Sequence, residues 1–162
     1  MRVLENLQPE RVFYHFEEIA KIPHGSGNTK QISDYLVAFA KEHNLEHYQD
    51  EINNVIIIKE ATEGYENADA VIIQGHMDMV CEKESDCNID FETDGLDLYV
   101  EDGFVKARGT TLGGDDGIAV AYGLALLEAK DIVHPRLELV ITVDEETGMD
   151  GAYGIDLSML KG

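Results

Sequence analysis

The sequence predicts an α/β fold with a mixed, mostly parallel sheet and helices on both faces. Two amphipathic segments, 9–21 and 29–43, come first, and each places its apolar residues on one helical stripe. Runs rich in Val, Ile and Leu follow at 55–59, 70–74 and 137–143, as expected of buried strands. Because 162 residues suit one compact domain, these elements are expected to share one core.

The N-terminal part contains the two helices and the loop between them. Pro9 suits the first turn of a helix, and Pro23 ends the first helix. His15 is expected on the solvated surface of that helix. Residues 24–28 form a loop, and the Gly-Ser-Gly at 25–27 is weak support for a cofactor-binding turn.

The C-terminal part alternates loops with short regular elements. After an acidic, irregular stretch at 81–96, a hairpin turns at Glu101-Asp102-Gly103. A Gly-rich loop then leads into a largely apolar helix over 118–130, which is expected to be buried on several sides. Beyond residue 148 the sequence is expected to be loop-like.

Composition narrows the choice of partners and location. The formal net charge of −21 argues against nucleic acid and against an anionic membrane surface. No apolar run approaches the ~20 residues that a bilayer span needs, and the first ten residues are too polar for a signal peptide, so we expect a cytoplasmic protein. Cys81 and Cys87 are expected to be free thiols.

Three short stretches carry His or acidic side chains, and two of them directly follow predicted strands. Ligand sites in open α/β sheets lie beyond the carboxyl ends of the strands. If strands 70–74 and 137–143 are parallel neighbours, the residues after them reach one edge of one sheet. A His with several carboxylates there predicts a divalent-metal site of a hydrolytic kind. The stretches are Gly-His-Met-Asp (75–78), Gly-Gly-Asp-Asp-Gly (113–117) and Val-Asp-Glu-Glu-Thr-Gly (143–148).

Each stretch also has an ordinary structural explanation. His76 and Asp78 face the same way in an extended chain, so Asp78 can orient the imidazole, but it could also be a solvated neighbour. Asp115 and Asp116 precede a helix, where Asp is a favoured N-cap. The acids at 144–146 could form a solvated turn, or one Glu could bind a metal while the other accepts a proton from water. The metal site is favoured only when the three stretches are taken together.

Four stretches of the chain recur in a known family in the same order. They are IPHGSGNTKQISDYL (22–36), QGHMDMVCEK (74–83), ARGTTLGGDDGIAVA (107–121) and TVDEETGMDGA (142–152). There the chain resembles the co-catalytic zinc metallopeptidases of the aminoacylase and carboxypeptidase kind, and within them the aminoacyl-histidine dipeptidases (Xaa-His dipeptidase or peptidase D). The resemblance implies a zinc-exopeptidase-like fold, hydrolysis of unblocked dipeptides and a possible homodimer of the full-length protein.

The resemblance also implies a role for each site residue. His76 would bind one zinc and Asp78 would orient His76. Asp115 would bridge two zincs, and Glu146 would bind the second. Glu145 would be the general base that activates the attacking water. Cobalt or manganese could replace zinc, since mixed His and carboxylate ligands tolerate several ions.

The chain also departs from the family. The family has a further metal-binding acid, a last metal-binding His and a lid domain used in dimerisation, and the 162 residues contain none of these. We therefore expect residues 1–162 to be the N-terminal part of the catalytic domain, truncated at its C-terminus and inactive in isolation. Alternatives are a tripeptidase or N-acyl amino acid deacylase of the same family, a non-catalytic module that keeps the fold, and an acidic α/β domain without metal.

Overall fold

The structure is a computed structural model and describes residues 2–162. Its regular elements alternate along the chain between helices and short strands. In chain order they are α1 (Glu10–Ala20), α2 (Lys30–Glu42), β1 (Glu46–Gln49), β2 (Val55–Lys59), β3 (Val71–His76), β4 (Leu98–Glu101), β5 (Phe104–Ala107), α3 (Gly114–Glu128), β6 (Leu137–Thr142), a 3-10 helix (Glu145–Thr147) and α4 (Asp150–Gly154).

A four-stranded sheet in the order β1-β2-β6-β3 lies at the centre, and β4 and β5 form a separate hairpin. The predicted α/β class and mixed sheet are confirmed. However, only the β3–β6 pair is parallel, so the expectation of a mostly parallel sheet does not hold for these strands. The tight turn at 50–54 forces β1 and β2 to run antiparallel, whereas the helical crossover through α3 lets β3 and β6 run parallel.

The three long helices pack on one face of this sheet. Their apolar residues share one core with alternate side chains of the strands, including Val55, Ile57 and Leu139. The opposite face, where Ile56 and Val140 are buried, is covered by the segment at 155–162. The predicted helices on both faces are therefore not found among the described residues, because this non-helical segment occupies the second face.

Two further elements differ from the sequence-based expectation. β1 was not predicted, since its residues are polar and it is defined only by its pairing with β2. α4 interrupts the loop expected after residue 148. The hairpin of β4 and β5 is confirmed, with Glu101 opposite Phe104. In residues 2–162 no helix is long and apolar enough to cross a membrane.

His15 is buried rather than solvated, with 2% of its surface exposed. α1 packs against α3 on one side, and the His15 ring meets the Phe39 ring of α2 edge-on. Burial lowers the pKa of His15, although Nε2 lies 3.2 Å from a carboxylate oxygen of Glu128, which acts in the opposite direction. The prediction of a surface histidine was wrong because α1 is enclosed on two sides.

The contribution of His15 and His24 to the free energy of unfolding should fall as the pH is lowered below about 6.5, the ordinary pKa of histidine. The unfolded chain binds protons there, whereas folded His15 and His24, both with lowered pKa values, do so only at lower pH. One such histidine contributes up to about 1.4 kcal/mol per pH unit. His15→Phe should flatten part of this dependence in urea unfolding between pH 7 and pH 5.5. An unchanged slope in the variant would contradict the assignment.

Candidate metal centre

The ends of the two parallel strands bring the three predicted stretches together. His76 ends β3 and is aligned with Thr142, which ends β6. The 3-10 helix with Glu145 and Glu146 begins three residues after β6. α3 begins beside them at Gly114, after Gly113 in the left-handed conformation with φ of 66°. The expected meeting of these segments at one edge of the sheet is confirmed.

The imidazole of His76 is buried, and its two nitrogens face different groups. Nδ1 lies 3.0 Å from the main-chain carbonyl oxygen of Asp78 and 3.3 Å from its Oδ1. Nε2 lies 3.1 Å from Asp115 Oδ1 and 3.8 Å from Glu145 Oε2. Asp78 therefore contacts the imidazole through its main chain as well as through its carboxylate.

Because of these contacts, Nε2 of His76 needs a proton or a cation between it and the neighbouring carboxylate. A carbonyl oxygen only accepts hydrogen bonds, so Nδ1 carries a proton and Nε2 of the neutral ring is a lone-pair acceptor. That lone pair faces the carboxylate of Asp115, and two acceptors at this distance repel unless a proton or a cation lies between them. Burial lowers the pKa of His76, but the carboxylates of Asp115, Asp78 and Asp116 outweigh it and the net pKa is raised.

Three side chains supply atoms that could hold one cation. One ligand atom each of His76, Asp115 and Glu146 lies within 4.8 Å of the other two. The histidine is buried, whereas the two carboxylates are exposed to solvent. One imidazole nitrogen with two carboxylate oxygens is a donor set that suits zinc and also cobalt or manganese. The residues present therefore fit a divalent transition-metal ion.

Asp78 follows β3 and is buried, with 1% of its surface exposed, and its carboxylate accepts hydrogen bonds from residues that follow β6. The backbone N–H groups of Glu145 and Glu146 donate to it at 3.1 and 3.3 Å. The hydroxyl of Ser26 donates to Oδ2 at 2.7 Å. Ser26 was not among the predicted site residues, because no sequence pattern links two residues that are 52 positions apart.

Glu145 lies beside the three-residue cluster and is not part of it. Its carboxylate is about one-third exposed, with Oε2 3.8 Å from His76 Nε2. The preceding residue, Asp144, adopts φ of 54°, and its Oδ1 accepts the N–H of Gly27 at 2.7 Å. The Glu145 side chain is thus close to the cluster and open to water.

Asp116 plays a different part from Asp115. Its Oδ2 accepts the backbone N–H of His76 at 3.3 Å, and burial raises the pKa of this carboxyl. A Cβ atom at Gly75 would lie only 2.7 Å from the same oxygen, so glycine permits this approach. Asp116 therefore stabilises the end of β3 by a hydrogen bond and is not one of the three clustered ligands.

The chain matches a known protein family over more than half of its length. Residues 72–161 match the profile of peptidase family M20/M25/M40. Over 161 residues the chain is 42% identical to the cytosol non-specific dipeptidase of Escherichia coli (strain K12). The aligned part covers 99% of this chain and 33% of that protein.

Solved structures of similar proteins share the fold. The aminoacylhistidine dipeptidase of Vibrio alginolyticus superimposes with a TM-score of 0.95 at 40% identity, over 98% of this chain and 32% of that one. A tripeptidase of Staphylococcus aureus superimposes with a TM-score of 0.74 at 24% identity, over 93% of this chain and 40% of that one. The chain spans about a third of the length of the two dipeptidases.

Proposed function

Because this chain belongs to peptidase family M20/M25/M40, we propose that it carries the metal centre of a metal-dependent dipeptidase acting on unblocked dipeptides, including Xaa-His dipeptides. One observation carries the proposal: His76, Asp115 and Glu146 converge at the sheet edge with the Glu145 carboxylate beside them. The names of the Escherichia coli and Vibrio alginolyticus relatives, both dipeptidases, support this substrate class.

Each residue of the site has a proposed role. His76 and Glu146 would each hold one of two divalent ions, preferably zinc, and Asp115 would be a ligand of both. The bound ions would polarise the carbonyl of the scissile peptide and increase the acidity of the attacking water. Asp78 holds the imidazole of His76 in one tautomer, which leaves Nε2 as the ligand atom.

Glu145 is the proposed general base. Its carboxylate would accept a proton from the attacking water and return it to the leaving amine. Three features suit this role: the carboxylate is outside the ligand cluster, is partly open to water and is 3.8 Å from His76 Nε2. A carboxylate bound directly to the metal would be a weaker proton acceptor.

We propose that the isolated 162-residue chain is inactive. Its three-residue group could hold one ion, but when it is shared between two bridged ions each ion has only two of these ligands, fewer than the three protein ligands of a catalytic zinc. The two dipeptidase relatives are longer than the part that aligns with this chain. Additional segments of that kind would supply the remaining ligands, a lid and a dimer interface. A cytoplasmic location remains a prediction, supported by the word "cytosol" in the name of the Escherichia coli relative.

The test is a hydrolysis assay on the purified chain and on a longer product of the same gene. Dipeptides, tripeptides and N-acyl amino acids serve as substrates, before and after metal removal and zinc addition. We expect zinc-dependent dipeptide hydrolysis by the longer form alone. Preference for tripeptides or acylated substrates would identify a tripeptidase or an N-acyl amino acid deacylase instead of a dipeptidase. Turnover by the 162-residue chain would overturn its proposed inactivity.

A further inference from the structure

The loop at 24–28, between α1 and α2, is hydrogen-bonded to the segment after β3 and to the segment after β6, which both carry residues of the candidate metal centre. Gly25 forms a parallel bridge with Met79, and the N–H of Met79 donates to the carbonyl of His24 at 3.1 Å. The N–H of Gly27 donates to the Asp144 carboxylate at 2.7 Å. This loop therefore holds the chain after β3 and the chain after β6 in one position.

Ser26 occupies the centre of this loop and reaches the buried carboxylate of Asp78. Among the described residues, its hydroxyl is the one side-chain hydrogen-bond donor to that carboxylate other than the contact with His76. The Ser26 contact, at 2.7 Å, is shorter than the two backbone contacts to the same group. It falls on Oδ2, which leaves Oδ1 to face the imidazole at 3.3 Å.

We propose that Ser26 is a positioning residue of the metal centre, which sets the rotation of the Asp78 carboxylate and through it the orientation of His76. This inference rests on the proposed function for its metal readout. Without the hydroxyl, Oδ2 would keep only the 3.3 Å contact with the Glu146 N–H, and the carboxylate could rotate. The imidazole and the backbone before Glu145 and Glu146 would then be less well ordered before a metal binds.

The test compares Ser26→Ala with Ser26→Thr, which keeps a hydroxyl. Zinc affinity is measured by competition with a chromophoric chelator. Loss of a group that directly orients a metal-binding His lowers metal affinity by about tenfold or more. Because Ser26 acts on that group, Asp78, and not on His76 itself, Ser26→Ala should weaken zinc by up to about tenfold, and Ser26→Thr should restore most of the affinity. Zinc binding as tight in Ser26→Ala as in the parent would overturn the proposal.

A matched control separates positioning from folding. Ser33 is fully buried, and its hydroxyl donates to the carbonyl of Asn53 at 2.8 Å, away from the cluster. Ser33→Ala should lower the free energy of unfolding and leave zinc affinity unchanged. If Ser33→Ala weakens zinc as much as Ser26→Ala, the effect is one of general stability and the proposal fails.

A second readout needs no metal. The ring ¹⁵N resonances of His76 in the metal-free protein report its tautomer and hydrogen bonding. We expect Ser26→Ala to shift or broaden them, and Ser26→Thr and Ser33→Ala to leave them in place. If the parent binds no zinc, the proposed function fails, whereas these resonances still decide the role of Ser26: unchanged resonances in Ser26→Ala overturn it.

Discussion

Glu145→Gln is expected to lower kcat for the proposed dipeptide hydrolysis by about 10²–10⁴-fold, in whichever form of the protein shows that activity, with its bound metal retained. Glutamine has nearly the same shape as glutamate but does not accept a proton at neutral pH. Glu145 lies outside the ligand cluster, so replacing its carboxylate with the glutamine amide should leave the metal in place. Steady-state kinetics and metal analysis on the same preparation measure both quantities.

The neighbouring Glu146 provides the matched control for this experiment. Glu146→Gln removes a proposed ligand, so it should lower metal content as well as kcat. The two variants therefore separate a general base from a ligand. Full activity in Glu145→Gln would exclude Glu145 as the base, and loss of metal in that variant would make it a ligand instead.

Glu138→Ala is expected to lower the free energy of unfolding by about 3–5 kcal/mol, the typical result of breaking a buried ion pair from one side. Glu138 is the second residue of β6 and is completely buried. Its carboxylate accepts Arg136 Nε at 2.7 Å and the backbone N–H groups of Lys161 and Gly162 at 2.9–3.1 Å. Alanine would leave a guanidinium and two amides without these acceptors, and would loosen the segment that covers the second face of the sheet.

Urea unfolding of three variants measures this effect. Glu138→Gln keeps one oxygen acceptor and should lose less stability than Glu138→Ala. Glu60 pairs with the same Arg136, but its side chain is 70% exposed, so Glu60→Ala should change stability by at most about 1 kcal/mol. Equal losses for Glu60→Ala and Glu138→Ala would show that burial of the pair is unimportant.

The parts of this structure that the sequence predicted are those with a local pattern. The strands ending at His76 and Thr142 are rich in Val, Ile and Leu, and the helical stripes repeat at the expected spacing, so the α/β class followed from the residues. The site followed from one geometric rule, that parallel strands end at the same edge. The role expected for each of its residues came from resemblance, since the same acids could have formed a cap and a solvated turn.

The parts that the sequence did not predict depend on distant partners. β1 is polar and exists because β2 offers it a pairing edge. His15 looks like a surface residue on its own helix, but α3 and Phe39 enclose it. Ser26 is separated from Asp78 by 52 positions, and Glu138 interrupts an apolar strand because Arg136 and the backbone at 161–162 satisfy it. In each case burial and hydrogen bonding are properties of the fold and not of the local sequence.

The most direct test of the central claim is a zinc titration of this 162-residue chain beside a variant that carries both His76→Ala and Asp115→Ala. We expect the parent to bind zinc, and the double variant to remain folded by circular dichroism but to bind no zinc. Full zinc retention in the folded double variant would contradict the ligand assignment. A folded parent that binds no zinc would contradict the metal centre itself and favour an acidic α/β domain without a metal.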